Sequence, residues 1–195
     1  MKTWNFRAFP WECTDLQKAM NCKQQIRALF GIGNHSIHIT DTHEESKRIA
    51  RIVFHNESIR FLNNAEPTFF GQFEGFINLY SQWLKESDFD GDCFCIDGSA
   101  VLSAYGLRDC NDLDFLHSVY TIPQLFPPHP AIGSHNFHAY YYDRSIDDIL
   151  FRPENYFYYR GLKFAGIDVI KRMKKSRGEP KDHRDVSLIN KLFHQ

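Results

Sequence analysis

Two carboxylates, Asp112 and Asp114, lie two residues apart, and twelve residues separate them from a Gly98-Ser99 dipeptide. Residues i and i+2 of a strand point to the same face, so this spacing projects both acids together with Leu113 packed behind them. Adjacent carboxylates repel unless a cation sits between them. A divalent ion bridged to a polyphosphate is the usual occupant, and an all-oxygen ligand set favours Mg²⁺. Gly98 would let the backbone approach a phosphate closely, while Ser99 and the amides after it would donate to the phosphate at the positive end of a helix. Asp97 stands next to the dipeptide and adds a third acid to the neighbourhood.

Regular elements must hold these groups. Residues 93–96 are apolar and read as a short strand, 100–105 as a helix closed by Gly106 at its C-terminus, and 113–116 as a second strand. Residues 122–133 carry four of the eight prolines and read as irregular, and the aromatic run 137–142 reads as a third strand. Residues 156–164 suggest a strand pair turning at Arg160-Gly161. Two helices follow, one from Ile167 to a stop at Gly178 and one over 181–193. Upstream, Leu16, Met20, Ile26, Leu29 and Phe30 form a helical stripe and 35–40 alternates like a strand. Asp41-Thr42-His43-Glu44 resembles a helix start with a capping box. Phe69, Phe70, Phe73, Phe76, Ile77, Tyr80, Trp83 and Leu84 give the strongest helical stripe of the chain. The expected organisation is a mostly helical region over residues 1–88 and an α/β (α+β) core over 89–195, a small mixed β-sheet flanked by helices.

The Gly98-Ser99 turn followed by Asp112-Leu113-Asp114 resembles the nucleotidyltransferase superfamily, which includes DNA polymerase beta, the CCA-adding enzymes and the minimal bacterial nucleotidyltransferases. Tyr105-Gly106-Leu107-Arg108 is similar to the segment ahead of the acidic pair in that superfamily. So is the tail, with Lys174-Lys175-Ser176-Arg177, Lys181-Asp182 and Asp185. The likeness spans about residues 90–193. It implies Mg²⁺-dependent transfer of a nucleoside monophosphate from a nucleoside triphosphate such as ATP to an acceptor hydroxyl or phosphate, on a sugar, a small molecule, an RNA end or a protein. It assigns the metal to Asp112 and Asp114, and the nucleotide to Gly98, Ser99, Arg108, Lys171, Lys174 and Arg177. The departure is the further acid that active members place on the next core strand. Here that stretch has His138 at its centre and Asp143 at its far end. Either Asp143 serves, or His138 replaces it, or the metal is held weakly.

Composition narrows the alternatives. Of the 195 residues 43% are hydrophobic, 24% charged and 15% aromatic, which suits a folded domain and excludes low-complexity or fibrous classes. The net charge of −1 gives no global field for nucleic acid. Residues 160–185 nevertheless hold nine Lys or Arg against four Asp or Glu, either a solvated face or a triphosphate-binding face. No apolar run reaches membrane-spanning length and no signal-peptide pattern opens the chain, so a cytoplasmic protein with no membrane partner is expected. Its five cysteines, an odd number without CxxC spacing, read as buried reduced thiols. His35, His38 and His43 beside Asp41 lack the geometry of a metal site if 35–40 is a strand. The rival functions are a catalytically degenerate nucleotide-binding domain of the same fold and a protein-interaction or antitoxin-like module.

Overall fold

The computed structural model describes residues 11–40, 42–66, 68–118 and 125–193. In chain order these form α1 (Leu16–Phe30), α2 (His43–Val53), α3 (Asn56–Asn64), α4 (Gly71–Glu86), β1 (Phe94–Asp97), α5 (Ser99–Ala104), β2 (Leu113–His117), β3 (Ile132–Ser134), α6 (Ile146–Phe151), β4 (Tyr156–Tyr159), β5 (Leu162–Ala165), α7 (Ile167–Arg177) and α8 (Pro180–Leu192). The strands make one mixed sheet in the order β3-β2-β1-β5-β4. β1 runs antiparallel to β2 and parallel to β5, while β3 lies parallel to β2 at the edge. The fold is therefore a mixed α/β sheet flanked by helices. No described helix is long and apolar enough to cross a membrane.

The aromatic stripe of α4 explains how the sheet is covered. Phe73, Ile77, Tyr80, Trp83 and Leu84 are all buried. Tyr80 packs 5.4 Å from Phe115 of β2 and Trp83 5.9 Å from Phe94 of β1, measured between ring centroids. Phe61 of α3 stacks on Phe157 of β4 at 4.4 Å. Each such side chain contributes ~1.5–3 kcal/mol when fully buried, so α3 and α4 close the same hydrophobic core as the sheet. In contrast, α1 buries none of its residues. Gly106 ends α5 at φ 79°, and a Cβ there would sit 1.8 Å from the Glu66 carbonyl oxygen; its bareness lets the chain before α4 pass against α5.

Three local expectations differ from the structure. Residues 35–40 form no strand. A 3₁₀ turn at Gly33–His35 is followed by irregular backbone, with the Ile39 carbonyl accepting from Lys23 Nζ instead of from a neighbouring strand. His35, with its side chain, and Asp41 fall wholly or partly outside what is described, while His38 bonds Glu45 at 3.2 Å. The third strand is not 137–142 but Ile132–Ser134, at the end of the proline-rich stretch 122–133 expected to be irregular, of which 122–124 lies outside the described residues. Pairing stops there because Asn136 caps β2 with its side chain: its Oδ1 accepts from the His117 amide at 3.0 Å and its Nδ2 donates to the His117 carbonyl at 2.8 Å. The chain then winds into a 3₁₀ helix, Asn136–Tyr141. Of the cysteines, all are free but only Cys95 and Cys110 are buried.

Candidate active site

The sheet brings the acids to the dipeptide. β1 ends at Asp97, and its antiparallel register with β2 sets Asp97 directly opposite Asp114. Between β1 and α5 the chain turns at Gly98 with φ 62° and ψ −134°, a conformation that a side chain rarely tolerates. A Cβ on Gly98 would lie 3.0 Å from Asp114 Oδ2, so the Asp114 carboxylate rests over the bare turn. Ser99 Oγ donates to Asp112 Oδ1 at 3.3 Å. Leu113 between the two acids is fully buried, which fixes both carboxylates on the face of the Gly98-Ser99 turn. α5 is only six residues long, so its dipole is small and the bare backbone of the turn matters more.

Asp112 is exposed and Asp114 half-buried. Burial pushes the Asp114 carboxyl up to about 6; Asp112 and Asp97 add to the rise, while His135 and Arg177 oppose it. Asp114 accepts no side-chain hydrogen bond among the described residues. The two carboxylates thus share a turn without a direct cationic partner among the described residues.

Asp97 behaves differently. It is completely buried, and its Oδ2 accepts from His135 Nδ1 at 2.7 Å and from the Tyr142 hydroxyl. Burial works against its charge, but the His135 and Tyr142 hydrogen bonds hold its carboxyl below the ordinary range. His135 is raised in turn: burial disfavours its charge and the bond to Asp97 outweighs that. The result is a buried His135–Asp97 hydrogen-bonded pair beside Asp114. Asp97 Oδ1 is left buried without a hydrogen bond. His135 and Tyr142 are not legible in the sequence because they lie 38 and 45 residues from Asp97; the local signal is Asp97 itself at the end of a strand.

The remaining candidates divide. His138 belongs to the 3₁₀ helix, its ring 4.5 Å from that of His135, its Nδ1 buried and unpartnered, and its pKa lowered by burial and by His135 and Arg177. Asp143 is committed elsewhere, bonded to Arg144 at 2.8 Å and to Arg172 at 2.9 Å. The basic face expected on α7 is largely consumed in structure. Lys174 is buried and pairs with Asp185 at 2.7 Å and Asp182 at 3.2 Å. Arg177 grips Asp182 through two nitrogens, at 2.8 and 2.7 Å. Arg108 grips Asp185 in the same manner, at 2.7 Å twice, and also donates to the Asp109 carbonyl. Arg177 is close enough to Asp114 to lower its pKa, whereas Lys171, half-buried, has no ion-pair partner among the described residues. Lys174 cannot reach a ligand without abandoning two buried carboxylates.

Among the described residues no group of three or more His, Cys, Asp or Glu is arranged to hold a metal ion. The fit of a divalent ion rests on Asp112 and Asp114 alone: two oxygen donors over a glycine cradle, one of them destabilised by its own charge. This suits an ion whose other ligands are phosphate and water, as Mg²⁺ prefers. Comparison with known proteins found no matching family model, no matching curated protein and no matching solved structure.

Proposed function

We propose that this chain binds a nucleoside triphosphate with Mg²⁺ at the Gly98-Ser99 turn and transfers the nucleoside monophosphate to an acceptor hydroxyl or phosphate. The observation that carries the reading is the convergence of Asp112 and Asp114 on that turn with no cation bonded to Asp114 among the described residues. Asp112 and Asp114 would hold the ion, which supplies charge neutralisation on the leaving pyrophosphate and lowers the pKa of an attacking hydroxyl. Gly98 leaves room for a phosphate against the backbone, and Ser99 orients Asp112. His135, its pKa raised by the bond to Asp97, and Arg177 both favour the Asp114 carboxylate. The acceptor oxygen forms a bond to the α-phosphorus as the α–β phosphoanhydride bond breaks; pyrophosphate departs with the bonding pair, and a hydroxyl acceptor's proton passes to solvent. Most of the protein's contribution is positioning and charge stabilisation. The acceptor belongs to the broad class of sugars, small molecules, RNA ends or proteins.

One observation favours a second reading, nucleotide binding without turnover: Asp143, the acid available for activating the acceptor, is ion-paired with Arg144 and Arg172. Incubation with each of the four nucleoside triphosphates and Mg²⁺, followed by assay of released pyrophosphate, separates the two. Transfer predicts release that requires both Asp112 and Asp114. Binding without turnover predicts stabilisation by nucleotide and no release.

A further inference from the structure

The 3₁₀ helix Asn136–Tyr141 sits between the two residues that hold Asp97, His135 before it and Tyr142 after it. It is therefore anchored at both ends on the buried acid that faces Asp114. A 3₁₀ helix has three residues per turn, so side chains at i and i+3 eclipse each other. His138 and Tyr141 form one such pair, half-buried and stacked at 5.8 Å with an interplanar angle of 21°. Phe137 and Tyr140 form the other, and it faces water: Phe137 is 71% exposed and Tyr140 69%. The outward rings are braced from behind, Phe137 at 4.1 Å from the His138 ring and Tyr140 at 4.2 Å from the Tyr141 ring. The Phe137 ring lies 6.1 Å from that of His135, which itself bonds Asp97 opposite Asp114.

We propose that Phe137 and Tyr140 form a stacking platform for the base of the nucleotide whose phosphates occupy the Gly98-Ser99 turn. This rests on the nucleotide reading given above. A planar π-face is the one part of a nucleotide that two exposed, pre-braced rings can recognise without a hydrogen-bond code, and every base offers one. The Phe137 ring packs near buried His135, which bonds Asp97 opposite Asp114, so the platform flanks the acid site and a ligand with a polyanionic end and a flat end would meet both. Stacking is the shared contribution of the two rings, and every base offers a π-face to it, so purine and pyrimidine nucleotides both depend on the pair.

The test is calorimetric titration of the full chain with Mg·ATP, Mg·CTP and Mg·tripolyphosphate, for wild type, Phe137→Ala, Tyr140→Ala and Phe137→Trp. Both alanine positions are exposed, and a thermal melt of each variant confirms its fold. The expected result is that each alanine variant weakens both nucleotides by about tenfold, the loss of one base–ring stack, while tripolyphosphate binding is unchanged and Phe137→Trp retains nucleotide affinity. Equal affinities of wild type and alanine variants for nucleotide, or an equal loss for nucleotide and tripolyphosphate, would overturn the platform and leave the nucleotide reading standing. Wild type that binds tripolyphosphate as tightly as nucleotide also overturns the platform. Wild type that binds none of the three ligands overturns the nucleotide reading, and the platform with it.

Discussion

Two sets of aspartates in this molecule received opposite treatment. Asp182 and Asp185, both buried at the start of α8, are surrounded by Lys174, Arg177 and Arg108, each within hydrogen-bonding distance of a carboxylate oxygen. Asp112 and Asp114 share a turn whose nearest hydroxyl is Ser99 and whose cations act on Asp114 only at longer range. The first set is held at low pKa, with Asp182 down at about 2 against the opposition of burial, because Arg177 and Lys174 bond it. In the second, Asp114 is driven up to about 6. The same side chain is a structural clamp where its charge is matched within the fold and, under the proposed function, a binding group where the match is supplied by a ligand. The basic run of α7 thus stabilises the α7–α8 pair, and the carboxylates of Asp112 and Asp114, without a bonded cation among the described residues, are the feature on which the proposed function rests.

The comparison breaks most visibly at Lys174. Lys174→Ala removes the ammonium from two buried carboxylates and should cost on the order of 3 kcal/mol or more, read as a lowered midpoint in urea denaturation. Its nucleotide affinity, measured on the folded protein, should stay within about twofold of wild type; a selective loss of affinity with stability intact would return Lys174 to the ligand.

Asp114→Asn should do the opposite, stabilising the fold while abolishing Mg²⁺-dependent nucleotide binding. The folded carboxyl titrates at about 6 against an ordinary 3.8, so the folded state binds a proton more tightly than the unfolded chain. Wild-type stability from this group is then fully present below about pH 4 and falls as pH rises through 6, a loss approaching ~3 kcal/mol. The variant's advantage in thermal melts should be largest above pH 7 and vanish below pH 4. Asp182 has the reverse dependence: its folded pKa of about 2 lies below 3.8, so its contribution, ~2 kcal/mol, is present above pH 4 and lost as pH falls toward 2. Melts of Asp182→Asn and Asp114→Asn at pH 7 should therefore shift in opposite directions from wild type, with both differences shrinking in acid, and parallel behaviour would erase the distinction.

Gly98→Ala forces a Cβ into the left-handed turn and toward Asp114 Oδ2. It should cost ~1–3 kcal/mol in stability and weaken Mg·nucleotide binding by displacing the carboxylate; unchanged affinity would detach the turn from the site. The smallest effect is expected at Asp143, whose partners Arg144 and Arg172 are near the surface. Asp143→Ala should change stability by less than ~1 kcal/mol and leave nucleotide affinity alone, while a loss of turnover alone would restore it as the acceptor's activating acid.

How far these features can be read in the chain depends on how local they are. The strand, glycine turn, helix and acidic strand from 93 to 117 are encoded by neighbours: an apolar run, a residue free of Cβ, an i, i+2 acid pair. The hairpin β4–β5 and the helices α7 and α8 are equally local, marked by Arg160-Gly161, Gly178 and Pro180. The third strand failed because its existence depends on β2 beside it, and its end depends on the side chain of Asn136 19 residues from His117. Aromatic content alone made 137–142 resemble a strand, although those rings are arranged on a 3₁₀ helix. The α7 charges were legible as a basic face, but their partners Asp182 and Asp185 satisfy them only once α8 folds back. Asp97, His135 and Tyr142 meet through tertiary structure alone.

The most direct measurement is the thermal midpoint of wild type and the Asp112→Asn, Asp114→Asn double variant with nucleoside triphosphate alone, Mg²⁺ alone and both together, since selective binding stabilises only the folded state. A rise in wild type that needs both components and disappears in the double variant is the result expected if uncompensated carboxylates at the glycine turn hold a metal-bound triphosphate. A rise of the same size without Mg²⁺, or one that survives in the double variant, would contradict it.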